Sequence, residues 1–240
     1  VKDNKIIKSF TSQETLNPKI WDDEDNLQTK VRERLLEIAN EFIDFLGVPI
    51  IVDDVIFTGS LSNYNWSEFS DIDLHVVCDF EQFNQEIIDI YKELFKVKKT
   101  IFNTNHDITI YGYEVELYVQ DSKEAHFSSG VYSVMFDEWI EKPKKENPNI
   151  DTKLLKKKIS HWVEMIETIV DNSNLKEIDE VREYIKKFKD KLKKYRSVGL
   201  KKEGEYSLEN LVFKYLRRSG HLDKIFNLEN EIVDKSLSLS

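Results

Sequence analysis

Apolar residues recur at helical spacing between Leu27 and Leu46, where Val31, Leu35, Ile38, Phe42 and Phe45 fall three or four apart. Gly47 and Pro49 close that run, so the pattern predicts a helix over 27–46. Two short apolar runs follow, VIFT at 55–58 and DLHVV at 73–77, and both read as strands. The stretch from Glu81 to Phe95 reads as a second helix. Strict alternation returns in DITIYGYEVELYVQ (107–120), which predicts a hairpin turning at Gly112, and GVYSVMFDEWIEK (130–142) predicts another. The first part of the chain is therefore expected to hold a small mixed sheet with helices.

The pattern changes across EKPKKENPNID (Glu141 to Asp151), which places two of the four prolines among polar residues and reads as a linker. Beyond it the periodicity is helical throughout, predicting helices near 152–170, 175–195 and 208–219, with Asp151, Asn174 and Ser207 as N-caps. Asn174 and Glu177 have the spacing of a capping box, with Asn in place of Ser or Thr. No repeat of 20–50 residues is visible, which argues against a solenoid or propeller. The expected fold class is α/β in the α+β sense. An α/β domain at 1–142 is followed by an α-helical domain at 151–240, with a functional site expected in the cleft between them.

Composition narrows this further. With 240 residues, 40% hydrophobic and 12% aromatic, the chain has enough apolar material for a sizeable core. Its 33% charged residues, 7 Gly and 4 Pro argue against collagen-like, low-complexity and mostly disordered classes. The longest apolar stretch, Phe45 to Val52, falls well short of the ~18 residues that cross a bilayer, so no membrane partner is expected. The N-terminal VKDNKIIKSF has no apolar core of signal-peptide length, and its Val1 reads as a processed start. Cys78 is the single cysteine, which allows neither an internal disulfide nor a cysteine-based zinc site. These features together predict a cytoplasmic location. Charge is distributed unevenly: residues 1–150 carry 15 Lys and Arg against 29 Asp and Glu, whereas 151–225 carry 19 against 13. That split suits a metal-binding half beside a phosphate-binding half, although a solvated surface explains it as readily.

Chemistry concentrates in TGSLSNYNWSEFSDIDLHVV (58–77). A strand delivers Gly59 and Ser60, whose small size lets backbone N–H groups approach an anion, and a helical turn starting there would add its positive end. Asp71 and Asp73 lie two apart where an apolar strand begins. Period two therefore sets both carboxylates on one face while Ile72 and Leu74 face the core. Adjacent carboxylates repel, and a hard divalent cation such as Mg²⁺, which also suits a triphosphate, relieves that repulsion. In haloacid dehalogenase phosphatases and many sugar-nucleotide transferases the apolar strand precedes Asp-x-Asp. Here it follows, which argues against both.

Gly-Ser, a spacer of about ten residues and Asp-x-Asp entering a strand resemble the DNA polymerase β-like nucleotidyltransferase superfamily. Its pattern includes a third acidic residue on a later strand, for which Glu116 is the matching candidate and Glu114, on the same face, the runner-up. This resemblance covers residues 57–120. More loosely, the whole chain is similar to phage-encoded predicted nucleotidyltransferases whose helical tail carries a segment like GEYSLENLVFKYLRR, which would place it in a host cytoplasm. One departure is Glu at the third acidic position, where many members carry Asp. The resemblance implies transfer of a nucleoside monophosphate from an NTP, assisted by two Mg²⁺ or Mn²⁺ ions held by Asp71, Asp73 and Glu116, with Gly59 and Ser60 gripping the β- and γ-phosphates. The acceptor hydroxyl stays open: an RNA end, a protein side chain, a small molecule or another nucleotide.

On a helix starting at Leu208, Asn210, Lys214, Arg217 and Arg218 form a polar and basic stripe, and Lys214 and Arg217 are the expected phosphate ligands. A solvated outer face is the competing reading. Tyr64 and Trp66 are read as packing anchors, as aromatic residues in a loop near a sheet usually are, with base stacking as the alternative. His75 is read as a satisfied histidine beneath the next helix, with a supporting role to the metal as the alternative, and His126 as structural. The lysine runs at 153–160 and 186–195 resemble nucleic-acid clamps, but interleaved Glu and Asp favour ordinary helix faces. A non-catalytic nucleotide- or RNA-binding module on the same fold is the rival function, and a toxin modifying host RNA or protein is the same chemistry in another role.

Overall fold

The computed structural model describes residues 2–125 and 128–239, so His126 lies outside the described residues. Contacts divide the chain into two compact units, Thr11–Asn147 and Val1–Phe10 with Pro148–Ser240. In order, the elements are α1 (Lys2–Lys8), α2 (Thr29–Leu46), β1 (Asp54–Thr58), β2 (Ile72–Cys78), α3 (Ile88–Asn105), β3 (Thr109–Ile110), β4 (Tyr113–Asp121), β5 (Val131–Ser133), β6 (Glu138–Glu141), α4 (Thr152–Asp171), α5 (Ile178–Glu203), α6 (Leu208–Arg218) and α7 (His221–Leu237). The class is mixed α/β, as the patterning predicts. No helix among the described residues is long and apolar enough to cross a membrane.

In the α/β unit the stripe on α2 buries Val31, Leu35, Ile38, Ala39, Phe42 and Leu46, and Gly47 ends the helix in the left-handed conformation at φ +70°. The sheet runs β3-β4-β2-β1-β5-β6. β2 and β4 are parallel, with α3 as their crossover, and the other pairings are antiparallel. Alternation along β2 sends Ile72, Leu74, Val76 and Cys78 into the core shared with α2 and α3. The opposite face carries Asp73 and His75, and then Val77, which is buried with Ile56 and Val131.

The predicted helix at 81–95 is displaced. Two 3-10 turns, Phe80–Gln82 and Gln85–Ile87, precede α3. The side chains of Asp79 and Asn84 accept from the backbone N–H of Glu81 and Glu86 at 2.8 and 3.0 Å, which closes local turns where a continuous helix would have begun. Both predicted hairpins form. The segment 142–150, between β6 and the Asp151 cap, has no helix or strand.

The helical unit begins earlier in the chain than a domain boundary at 142 and 151 implies. α1 packs against α6, with Ile6 fully buried and Phe10 nearly so, which assigns the first ten residues to this unit. Asp151 caps α4 by accepting from Leu154 N–H at 2.9 Å, and Ser207 caps α6 by accepting from Asn210 N–H at 3.3 Å. The expected cap at Asn174 does not occur. Asn174 sits in a 3-10 turn (Ser173–Leu175), and α5 starts only at Ile178, with Glu177 as N-cap residue and no side-chain cap bond. α7 was not predicted; it follows Gly220 at φ +82° and buries Leu222, Ile225, Leu228 and Ile232.

Four lysines of the runs on α4 and α5 make contacts within this unit. Lys158 pairs with Glu209 at 3.2 Å, Lys187 with Glu183 at 2.8 Å and Lys189 with Glu229 at 2.8 Å, while Lys191 lies over the Trp162 ring.

Candidate metal centre

Register assembles the acidic site. Asp73, the second residue of β2, stands opposite Thr58 on β1 and opposite Glu116 on β4. Since β2 and β4 are parallel and in register, both carboxylates project from the same sheet face. Asp71, just before β2, joins them. One carboxylate oxygen from each of Asp71, Asp73 and Glu116 lies within 4.8 Å of the others, and all three residues are half-buried. Glu114 is exposed, opposite Thr109 near the short β3, and does not enter this cluster.

Three hard oxygen donors at this separation fit divalent cations. Oxygens on opposite sides of Mg²⁺ stand about 4.2 Å apart, so modest side-chain rotation suffices to close the set on an ion. Without one, the carboxylates repel each other at a distance where water screens only in part.

The Gly59–Ser60 turn sits against this cluster. Gly59 has φ +86° and ψ −163°, and a Cβ added there would meet Oδ2 of Asp73 at 2.0 Å. Only glycine permits that approach. A 3-10 turn, Ser60–Ser62, follows directly, as the predicted turn at this point requires. Three side chains hold it. Trp21 Nε1 donates to the Leu61 carbonyl at 2.7 Å, the Ser62 hydroxyl lies 2.9 Å from both the Gly59 and Gly130 carbonyls, and the Ser60 hydroxyl donates to Ser70 Oγ at 2.7 Å. Trp21 is itself fixed between Phe57 and Trp139, with ring centres 5.6 and 4.6 Å away. Ser128 Oγ accepts from the Gly59 N–H at 3.3 Å.

Around Glu116 the strand period places Tyr118 and Gln120 on the same face. The Tyr118 hydroxyl donates to Oε2 of Glu116 in a short hydrogen bond. Burial, that hydrogen bond and the negative charges of Glu116, Asp73 and Asp71 push the phenol's ionisation well up, so Tyr118 is held as a donor. Lys99 Nζ stands 4.4 Å from the centre of the Tyr118 ring. A cleft of about 310 Å³ borders this ring and is lined also by Phe80, Lys92, Lys96 and Lys99. Tyr118 is not among the residues that the sequence motifs single out, although its place two residues after Glu116 in an alternating strand is the signal that locates it.

His75 lies on the carboxylate face, whereas α3 packs on the other, so it is not beneath that helix. Its Nδ1 is 2.7 Å from Gln120 Oε1, which accepts, leaving Nε2 facing the Thr58 hydroxyl at 3.5 Å. Tyr64 and Trp66 act as packing anchors: both pack against the core, and Trp66 Nε1 donates to the Thr15 carbonyl at 2.9 Å.

In the helical unit, Lys214 and Arg217 lie three residues apart on α6. Lys214 is not on a solvated face. Its side chain is 18% exposed and its Nζ stands 4.0 Å from Oε2 of Glu205. Burial, and then the charges of Arg218, Arg217 and Arg196, press its ionisation down against the opposing pull of Glu205.

No protein-family profile, curated protein or solved structure matches this chain.

Proposed function

We propose that this protein is a divalent-metal-dependent nucleotidyltransferase that moves a nucleoside monophosphate from an NTP to a hydroxyl acceptor. The observation that carries this reading is the meeting of Asp71, Asp73 and Glu116 within 4.8 Å, beside a turn where a Cβ on Gly59 would clash with the Asp73 carboxylate. A structural role alone would not favour three crowded carboxylates, and a cation site without phosphate chemistry would not need a glycine turn held against it.

In this reading Asp71, Asp73 and Glu116 hold Mg²⁺ or Mn²⁺, which when bound neutralise phosphate charge and lower the pKa of the attacking hydroxyl. Gly59 and Ser60 supply the small turn for the β- and γ-phosphates. Tyr118 orients the Glu116 carboxylate by donating to one oxygen and leaves the other to accept. The acceptor oxygen forms a bond to the α-phosphorus, the bond to the bridging α–β oxygen breaks, the hydroxyl proton passes to solvent, and pyrophosphate leaves. The protein forms no covalent intermediate.

The test is the identity of the leaving group. With NTP, Mn²⁺ and a mixed acceptor pool, pyrophosphate should appear in step with acceptor labelling, and Asp73→Asn should abolish both. Release of inorganic phosphate alone would indicate hydrolysis or kinase chemistry. NTP binding with no product would favour the non-catalytic module.

A further inference from the structure

The outer surface of α3 carries apolar residues that packing on the sheet does not use. Phe95 and Phe102 face the core, whereas Ile90, Val97 and Ile101 are 65, 52 and 42% exposed, and Leu94 among them is half-buried. At 100° per residue these four fall within an arc of about 60°, turned about 120° from the core-facing phenylalanines. No rotation of the helix would set both groups on the sheet. The stripe is not the helix's polar side either, because Lys92, Lys96 and Lys99 lie opposite it and line the cleft beside Tyr118. Ile87, also exposed, extends the stripe just ahead of α3.

Spacing indicates what such a surface packs against. From Ile87 through Ile90, Leu94 and Val97 to Ile101 the steps alternate between three and four residues, the repeat that lets one helix lie along another at a shallow angle with side chains interlocked. Two such repeats are too few for a free coiled coil, but α3 is already folded by its packing on the sheet, so pairing has no helix to nucleate. The stripe amounts to a patch of roughly 400 Å², a size at which apolar surface on a folded protein is commonly functional. Two copies would cover about 800 Å² of it between them, and flanking residues bring the contact to about 1,200 Å², where specific interfaces begin. Charge complementarity favours a parallel, in-register pair, in which Glu93, just before Leu94, stands beside Lys98, just after Val97, of the second copy. Both have partners in their own chain: Glu93 pairs with Lys96 at 3.3 Å, and Lys98 Nζ donates to the Phe45 carbonyl at 3.2 Å. The flanks therefore contribute register, by opposing no like charges, and the apolar seam supplies the binding.

We infer that α3 is a self-association surface, through which two copies of this chain pair by Ile90, Leu94, Val97 and Ile101 in a parallel two-fold dimer of micromolar affinity. α3 is also the crossover that sets β4 beside β2, and so Glu116 beside Asp73, which puts the dimer contact on the element that determines the register of the acidic cluster. The inference depends on neither metal nor nucleotide.

Sedimentation velocity of the full chain, at concentrations spanning the micromolar range, tests it. The wild type should pass from monomer to dimer across that range. Ile90→Glu and Val97→Glu should each weaken dimerisation by about tenfold or more, while the melting temperature of the dilute monomer stays unchanged because both side chains are exposed. Val97→Cys should give a disulfide-linked dimer on mild oxidation, and Lys92→Cys, on the opposite side of the helix, should not; Cys78 is buried and adds no background. The inference is overturned if the wild type stays monomeric at the highest concentration, which would leave the stripe to a different protein or to a membrane surface. Dimerisation of Val97→Glu at wild-type strength, or cross-linking of Lys92→Cys as readily as Val97→Cys, would overturn it by moving the contact elsewhere. A wild-type dimer whose Val97→Cys form does not cross-link would overturn the parallel register. A monomer destabilised by Ile90→Glu and Val97→Glu would overturn it too, by showing the stripe to be covered within its own chain.

Discussion

The Cβ that Gly59 lacks would stand 2.0 Å from Oδ2 of Asp73. The turn and the carboxylate are thus one construction, and neither can shift without the other. Gly59→Ala should cost about 1–3 kcal/mol through its φ of +86° and, in addition, turn the Asp73 carboxylate away. Gly112 has a similar φ of +88° with nothing within 4 Å of an added Cβ, so Gly112→Ala should show the strain without the carboxylate effect. Manganese titration of both variants, beside denaturant unfolding, separates the two contributions. Only Gly59→Ala should lose metal affinity, by about tenfold or more.

Mutual repulsion among Asp71, Asp73 and Glu116 predicts an inversion. In EDTA, Asp73→Asn should stabilise the fold by about 1 kcal/mol, a Coulomb figure reduced for half-exposed groups. With saturating Mn²⁺ the wild type should become the more stable of the two, since ligand binding to the folded state adds to its stability. Melting curves of both proteins with and without Mn²⁺ are the check. An identical shift in each would remove the metal from the site.

Alkaline unfolding should carry the signature of Tyr132. Its phenol donates to Asp137 at 2.9 Å, and burial, followed by that hydrogen bond, pushes its pKa from 10 up to about 12. A folded-state pKa raised above the unfolded value stabilises fully below pH 10, and that contribution is lost as pH rises towards 12. Tyr132→Phe should therefore be less stable than the wild type at pH 9, with the difference narrowing as pH rises towards 12. Denaturant midpoints across that range measure it.

Capping assigns different weights to two similar residues. Asp151 accepts from Leu154 N–H, whereas Asn174 lies in a turn that caps nothing. Asp151→Ala should cost about 1 kcal/mol and Asn174→Ala close to none, measured by urea unfolding.

Much of the site is legible in the sequence because short-range order determines it. The two-residue period of β2 alone puts Asp71 and Asp73 on one side and Ile72 and Leu74 on the other. The choice between Glu114 and Glu116 depends on which residue stands beside Asp73, a parallel register set through a crossover helix that local pattern does not encode. The start of α3 escaped for a different reason, since the Asx turns at Asp79 and Asn84 compete with helix in a way apolar spacing does not reveal. α1 is too short for periodicity to declare it, and its place with the helical unit depends on burying Ile6 and Phe10. α7 was legible in principle, since Leu222, Ile225, Leu228 and Ile232 keep helical spacing beyond Gly220. Lys214 reads as a member of an exposed basic stripe, and its low exposure of 18% comes from tertiary packing that local pattern does not encode.

Nucleotidyl transfer is tested by supplying each α-labelled NTP with Mg²⁺ or Mn²⁺ to the protein together with, separately, total RNA, a protein extract and a pool of small metabolites, and by repeating each with Asp71→Ala/Asp73→Ala. Label should become joined covalently to a member of one pool, dependent on metal and absent with the double variant. Label that never transfers under conditions where the wild type binds NTP, or that transfers equally with the double variant, would contradict it.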